Sequence, residues 1–146
     1  MHLIGIIYRL VIAFWGGGIA IFTFVVTPII FKTQGRDLAG RIVGEIFPTY
    51  FRWGLVCGSI ALLCLIATRG RNFAASLPIV LAMLLLTSFD AFYLEPRLAN
   101  LKKEIPSFES TPRDHPLRQQ FSRLHGISAV SNLTVFAGGV ALIVLL

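Results

Sequence analysis

The sequence predicts an all-α integral membrane protein, a bundle of four helices that cross the bilayer. Of its 146 residues, 55% are hydrophobic and 14% are charged, whereas an average soluble domain carries about 25% charge. Mean hydropathy is +0.78, and the apolar residues lie in four long blocks. Because a bilayer span needs about 20 apolar residues, four spans and their connections fill the chain, which we expect to form a single domain over residues 1–146.

The composition also excludes several classes of protein. A disordered chain and almost any soluble enzyme would be far less apolar. The net charge of +6 is typical of nucleic-acid-binding proteins, but no aromatic-basic motif of the usual binding modules is present. In a membrane protein, such an excess reflects cytoplasmic loops and anionic headgroups. We therefore expect the lipid bilayer, and no nucleic acid, as a partner.

The first predicted span covers residues 3–31. As a helix it would be about 43 Å long, against about 30 Å for the hydrocarbon core, so it must tilt or protrude. Pro28 can kink its end. Trp15 precedes the run Gly16-Gly17-Gly18, which allows a neighbouring helix to approach closely. The apolar stretch is too long for a signal peptide and lacks a basic start, which predicts a retained span.

A mixed-charge segment, residues 32–46, separates the first span from the second. Its apolar residues recur at helical spacing, which indicates a short amphipathic helix that lies on the interface or continues the first helix. The second span is predicted at residues 47–68. Pro48 suits the first turn of a helix, and the aromatic residues around it suit the headgroup belt.

The second half of the chain repeats the alternation of apolar and polar segments. The third span is predicted at residues 73–94 and the fourth at residues 124–146. Between them, residues 95–123 are polar and contain four prolines. This composition predicts a long loop with a helical piece near residues 97–104.

The distribution of Lys and Arg predicts the orientation. Ten of the 13 lie beside or within the two larger connections, and three lie on the side of the termini and the turn at Arg69–Arg71. Since basic residues are concentrated in cytoplasmic loops, we expect the larger loops in the cytoplasm and both termini outside.

Ionisable residues within the spans are the candidates for function. Each costs about 2.5–3.5 kcal/mol at a span centre, so it is usually enclosed by protein and paired. Asp90 lies about 26 Å along the third span, and Glu95 lies at its end. The fourth span enters from the same side with His125, Ser128 and Asn132 on one helical face. We predict that these five side chains meet between the third and fourth helices.

Three roles are open for this polar cluster. It can be structural glue between helices, the preferred interpretation, or a relay for protons or ions that also lines a substrate pathway. A metal site is the third, although one His and two carboxylates match no strong ligand motif. No cofactor is expected, because His125 is the only histidine at span depth and haem normally needs axial ligands inside the bundle. The sequence contains no nucleophile motif, so no catalytic residue is predicted.

Short motifs in or beside each span carry a resemblance to a known family. The motifs are Trp15-Gly16, Phe47-Pro48-Thr49-Tyr50-Phe51, Pro96, and Arg123-Leu124-His125-Gly126-Ile127-Ser128 with Asn132. In this order they resemble the transmembrane protein 205-like family of small four-span membrane proteins in bacteria and eukaryotes. The resemblance implies a four-helix membrane domain without fixing an activity. Some members are associated with metal-drug resistance, which favours transport or trafficking.

These observations favour a multi-span protein without evident catalysis. We expect a small transport, channel or membrane-organising component that acts as a homo-oligomer in the inner (plasma) membrane of a bacterium. One alternative is a membrane enzyme, or a metal or redox component, that uses His125 and Glu95. Another is an interaction module for a larger membrane partner.

Overall fold

Four long helices make up the fold in the computed structural model, which describes residues 2–145. They have 29 to 33 residues each and are long and apolar enough to cross a membrane. Within the described range every regular element is helical, so the predicted all-α four-span class is confirmed. The helices are α1 (His2–Thr33), α2 (Arg36–Thr68), α3 (Phe73–Glu104) and α4 (Pro116–Val144).

The helices form a ring in which each packs against two neighbours. Both α1 and α3 pack against α2 and α4. Short connections make helices that follow each other antiparallel. Residues 34–35 and 105–115 therefore lie at one end, here called the loop end, and residues 69–72 lie at the other. Large apolar side chains cover the outside, such as Leu85 and Phe92, which are 71% and 74% exposed. An apolar surface of this kind suits contact with lipid.

The loop end is more helical than the sequence predicts. Residues 36–46 of the amphipathic segment form the first turns of α2, and not a separate interfacial helix or a continuation of α1 as predicted. Pro48 therefore lies inside α2 and not in its first turn. Helix α3 continues to Glu104, which shortens the connection to α4 to residues 105–115. These extensions can be polar because they lie outside the hydrocarbon core. Helix α2 is about 50 Å long, which is about 20 Å more than the thickness of that core. The extensions of α2 and α3 are joined by a hydrogen bond that Lys102 Nζ donates to the Gly40 carbonyl oxygen.

Trp15 lies at the centre of the apolar core and is 1% exposed. Its indole packs against α2 at Gly54 and Gly58, which are one turn apart. A Cβ atom at Gly58 would lie 2.7 Å from Trp15 Cη2 and 2.5 Å from Leu84 Cδ2. The two glycines thus form the groove that admits the indole.

The glycine run of α1 contributes to packing within one chain. Gly16 is buried, and its Cα would lie 3.6 Å from a Cβ added at Gly139 of α4. Gly18 faces the indole of Trp53, whereas a Cβ at Gly17 would meet nothing within 4 Å. The close approach expected of this run is therefore made to α4 of the same chain.

Two helices contain a five-residue π-helical turn, at Phe22–Val26 in α1 and Asp90–Leu94 in α3. Each turn ends two residues before a proline, Pro28 or Pro96. A proline ring crowds the carbonyl four residues back and donates no hydrogen bond to it. In both turns the next amide N–H donates to the carbonyl five residues back, which widens the helix at that point.

Proline alone does not produce these turns. Pro48 and Pro78 lie inside helices whose surrounding residues remain α-helical. The two π turns instead contain Thr23 and Asp90, two polar residues that bond to other helices. Since π turns occur frequently at functional sites, the polar residues in and beside these two turns are candidates for function.

Substitution of Gly58 by Ala should destabilise the bundle. The added methyl group would collide with Trp15 and Leu84, and overpacking of this kind costs about 1–3 kcal/mol. Thermal unfolding in mild detergent, followed by circular dichroism, should show a lower Tm. The matched control is Gly17→Ala, whose methyl group meets open space and should leave Tm unchanged. Equal Tm values for the two variants would contradict this account of the groove.

Candidate functional site

The structure divides the five predicted polar residues between two places in the loop-end half of the bundle. Asp90 and Asn132 lie in the interior in two hydrogen-bonded groups, Asp90 with Ser131 and Asn132 with Tyr50 and Thr23. Glu95, His125 and Ser128 line a larger cavity closer to the connections. We call the first the inner network and the second the outer cavity. The inner network consists of Thr23, Tyr50, Asp90, Ser131 and Asn132.

Asn132 of α4 joins three helices. The Tyr50 hydroxyl of α2 donates to Asn132 Oδ1 at 2.5 Å, and Asn132 Nδ2 donates to Thr23 Oγ1 of α1 at 2.9 Å. Because α2 and α4 are diagonal partners in the ring, the bond from Tyr50 crosses the centre of the bundle. Asn132 therefore joins α4 to its neighbour α1 and also to α2, which does not pack directly against α4.

Asp90 is the buried charge-bearing group of α3, with 0% exposure. Ser131 of α4 donates its hydroxyl to Asp90 Oδ2 at 2.6 Å. The other carboxyl oxygen, Oδ1, makes no hydrogen bond of normal geometry within the described residues, although the Ser128 side chain of α4 lies near the carboxyl group. Buried polar atoms nearly always have such partners, so an unpaired carboxyl oxygen inside a membrane bundle requires an explanation.

A small void of about 10 Å³ lies beside both parts of the inner network. Tyr50, Asp90 and Asn132 line it together with Trp15 and Thr87 of the core. A space of this size is close to the minimum that holds one water molecule. The void therefore brings polar side chains from α2, α3 and α4 to one point.

The outer cavity has a volume of about 570 Å³, which is within the usual range for ligand sites. It is bounded by all four helices and by the connection between α3 and α4. Its apolar wall is largely aromatic, and basic side chains outnumber acidic ones. The aromatic residues are Phe31, Phe47, Phe51, Phe108 and Phe121; the basic ones are Arg36, Arg41, Lys102 and Lys103; the acidic ones are Glu45 and Glu95.

The connection between α3 and α4 is held against the cavity by one carboxylate. Asp37 at the start of α2 accepts from the Ser107 hydroxyl at 2.6 Å and from the Phe108 amide at 2.5 Å. The Phe108 ring then meets Phe121 edge-on, with centroids 4.9 Å apart. Phe121 in turn stacks on His125 at 5.9 Å, so this chain of contacts positions the imidazole.

Phe51 lies between the two places, because it lines both the void and the outer cavity. It is buried and stacks on Phe47, with ring centroids 5.6 Å apart. Within residues 2–145, no three His, Cys, Asp or Glu side chains lie together as a metal site requires. The arrangement thus offers an ionisable interior point and a separate amphipathic cavity, with one aromatic residue between them.

Sequence reasoning did not single out Thr23 or Ser131. Ser131 follows Ser128 by three residues and therefore lies on the same face of α4. That spacing could have indicated it as a partner for Asp90. Thr23 follows Ile19 of the inward stripe of α1 by four residues, so helical spacing could have indicated it as an interior residue as well.

The fold and the buried polar centre define an integral membrane protein with a four-helix bundle. The model of a family described as a domain of unknown function, DUF4149, matches residues 10–107. The chain is also 31% identical over 124 residues to an uncharacterized protein of Aquifex aeolicus (strain VF5), covering 85% of this chain and 82% of that protein. The chain therefore belongs to the DUF4149 family. No solved structure matches it.

Removal of the bond across the bundle should be measurable in a double-mutant cycle. We expect Tyr50→Phe and Asn132→Ala each to destabilise the protein, and Asn132→Ala more, because it leaves both Tyr50 and Thr23 without this partner. Side-chain hydrogen bonds in membrane bundles average about 0.6 kcal/mol and reach about 1.7 kcal/mol, which is the coupling expected here. Unfolding by SDS titration from mild detergent gives the four free energies.

The control for this cycle is Thr134→Ala on the same helix. Thr134 is exposed, and its hydroxyl bonds only to the Val130 carbonyl of its own helix, so its loss should not change the stability of the bundle. Strict additivity of the Tyr50 and Asn132 variants would show that the bond adds no stability.

Proposed function

We propose that the chain is a non-catalytic membrane protein that binds an anionic amphiphile, such as an anionic lipid, in the outer cavity. In this proposal it is a small transport or membrane-organising component. The observation that carries the proposal is the combination of an aromatic wall and a basic rim in one cavity of about 570 Å³. An acyl chain suits such a wall, and a negatively charged headgroup suits such a rim.

The position of the rim supports this assignment. Arg36 and Arg41 lie in the first turns of α2, the part of the helix that exceeds the thickness of the hydrocarbon core. Near a membrane surface, each Lys or Arg contributes about 1 kcal/mol to attraction of anionic lipid. Phe47 and Phe51 lie further along the same helix, where the acyl part of a bound lipid would contact them.

The proposal includes an orientation and a membrane. Nine of the 13 Lys and Arg belong to the loop end, and Arg52 lies at the middle of α2. This distribution supports a cytoplasmic location for the loop end and an outside location for both termini. The relative in Aquifex aeolicus is bacterial, which supports the plasma membrane of a bacterium. The bundle then acts as one domain, with its outer cavity at the cytoplasmic surface.

A homo-oligomer is also part of the proposal. Its support is the small size of a four-helix unit, which leaves little room for a pathway of its own. Gly16 and Gly139 do not support it, since they contact each other within one chain. Native mass spectrometry gives the number of chains, and a monomer in every mild detergent would exclude this part.

We further propose a kinship with the transmembrane protein 205-like family. The match to the DUF4149 model ends at residue 107, so the His-Gly-x-Ser-x-x-x-Asn motif of α4 is an independent resemblance. Support comes from the positions of the shared residues. Trp15 lies in the core, and Tyr50 and Asn132 bond across the bundle.

A second candidate function is a membrane enzyme that acts on the bound amphiphile. The observation that favours it is the presence of both Glu95 and His125 in the lining of the outer cavity, where they would act as acid and base. Product analysis after incubation with phosphatidylglycerol tests it, together with metal analysis of the purified protein. Turnover that His125→Gln abolishes while lipid binding persists would favour the enzyme.

Neutralisation of the rim should weaken the binding of an anionic lipid. For the double variant Arg41→Gln/Lys103→Gln we expect phosphatidylglycerol affinity to fall about 5- to 30-fold, since two charges contribute about 1 kcal/mol each. Both residues are exposed, so the fold should persist. Native mass spectrometry with phosphatidylglycerol and phosphatidylcholine measures both affinities, and that for phosphatidylcholine should not change.

The matched control removes two charges at the opposite end of the bundle. Arg69→Gln/Arg71→Gln changes the net charge equally but leaves the cavity intact. If this control lowers phosphatidylglycerol affinity as much as the rim variant does, binding depends on overall charge and the cavity assignment is wrong.

A further inference from the structure

The buried carboxyl group of α3 has chemistry that the outer cavity does not use. We propose that Asp90 is the anionic centre of an interior site for one monovalent cation, either a proton or a sodium ion. The site would consist of Asp90, its bonded partner Ser131 and the small void beside them. It is a different site from the outer cavity, because the two share no charged lining residue, although Phe51 lines both and Ser128 of the outer cavity lies near Asp90.

Among the described residues, the lining of the void contains no positive charge that would balance an Asp90 carboxylate. Asp90 is 0% exposed, and a bare carboxylate in the interior of a membrane bundle is strongly unfavourable. Among the described residues that line the void there is no Lys, Arg or His. The protein thus supplies no fixed positive charge at the void, and a cation that binds there would neutralise the carboxylate.

One carboxyl oxygen of Asp90 is placed to bind a cation. Asp90 Oδ1 is buried without a hydrogen-bond partner within the described residues, whereas Oδ2 accepts from Ser131. The void beside Asp90, about 10 Å³ in volume, accommodates a single water molecule or small ion. A proton on Oδ1 with one water molecule, or one sodium ion, fits this space.

Other oxygen atoms around the void still have lone pairs. The Tyr50 hydroxyl donates its hydrogen to Asn132, and the Thr87 hydroxyl donates to the Met83 carbonyl at 2.8 Å. Both hydroxyl oxygens therefore remain acceptors. Carboxylate and hydroxyl oxygens are ligands that hard cations prefer. The lining can accept bonds from a water molecule or coordinate a bare ion.

Asp90 is the side chain beside the void whose charge would change when a cation binds or leaves. Helix α2 presents Tyr50, which is the only other titratable side chain among the described residues lining the void. Helix α4 presents uncharged hydroxyl groups at Ser128 and Ser131. On α3 itself the next acidic residue, Glu95, lines the outer cavity, as does His125 of α4.

Infrared spectroscopy of the full chain in liposomes tests this proposal directly. A protonated carboxyl group gives a C=O stretching band that a carboxylate lacks. At neutral pH without sodium, the wild type should show such a band that Asp90→Asn removes. Ser131→Ala should keep the band but shift its frequency, because the bond to Oδ2 is lost. This second variant also assigns the band if Asp90→Asn does not fold.

Two titrations identify the cation. Loss of the band on addition of sodium at fixed pH, but not of choline, would show a sodium ion that replaces the proton. Loss of the band only as pH rises would show an exchangeable proton alone. Either result supports the site. Glu45→Gln, which alters an exposed carboxyl group of the outer cavity, should leave the band unchanged.

Two results would overturn the proposal. A band assigned to Asp90 that persists at every pH and sodium concentration would show a permanently neutral acid with a structural role only. Absence of any such band under all these conditions, without a response to sodium, would show a permanent carboxylate. Lipid affinity measured on the same Asp90→Asn sample separates this outcome from failure of the outer cavity assignment.

Discussion

Polar groups in hydrocarbon have no water to bond with, and this constraint shapes the interior of the bundle. The polar residues at the centre of the structure are bonded to one another across helices. Asn132 connects α4 with α1 and α2, and Asp90 connects α3 with α4. All four helices thus contribute to the two bonded groups of the inner network, which meet at the void, and the packing of Trp15 on the glycines of α2 fills the space on the core side. Among the described residues, the buried side-chain oxygens without a hydrogen-bond partner are the Tyr8 hydroxyl and Asp90 Oδ1, and only the second belongs to a carboxyl group.

Hydropathy determines the fold class almost completely, because four apolar segments of sufficient length leave no other arrangement for this chain. It does not determine where helices end outside the bilayer. The extensions of α2 and α3 depend on contacts between them, such as the bond from Lys102 to Gly40, and such contacts have no local signal. The glycine pair at Gly54 and Gly58 is likewise meaningful only once Trp15 is known to face it.

The site was partly predictable for the same reason. Charged or polar residues in apolar segments are conspicuous, so Asp90, His125 and Asn132 are found from the sequence. Their partners are set by depth and rotation. Asp90 bonds to Ser131, while Glu95 and His125 line a separate cavity. The residues that bond to Asn132 come from helices far away in the chain, and helical spacing alone cannot identify them.

The π turn in α1 has a consequence for how this helix presents its residues. One additional residue in a turn rotates everything after it by about 100°, the angle per residue of a helix with 3.6 residues per turn. Tyr8, Ile12, Trp15 and Ile19 define the inward stripe before the turn. After it, Thr27 and Phe31 line the outer cavity, although an unbroken α-helix would rotate them about 80° and about 120° away from Ile19. Helix α1 therefore has two inward-facing stripes that are rotated relative to each other. The stripe before the π turn faces the core, and the stripe after it faces the outer cavity.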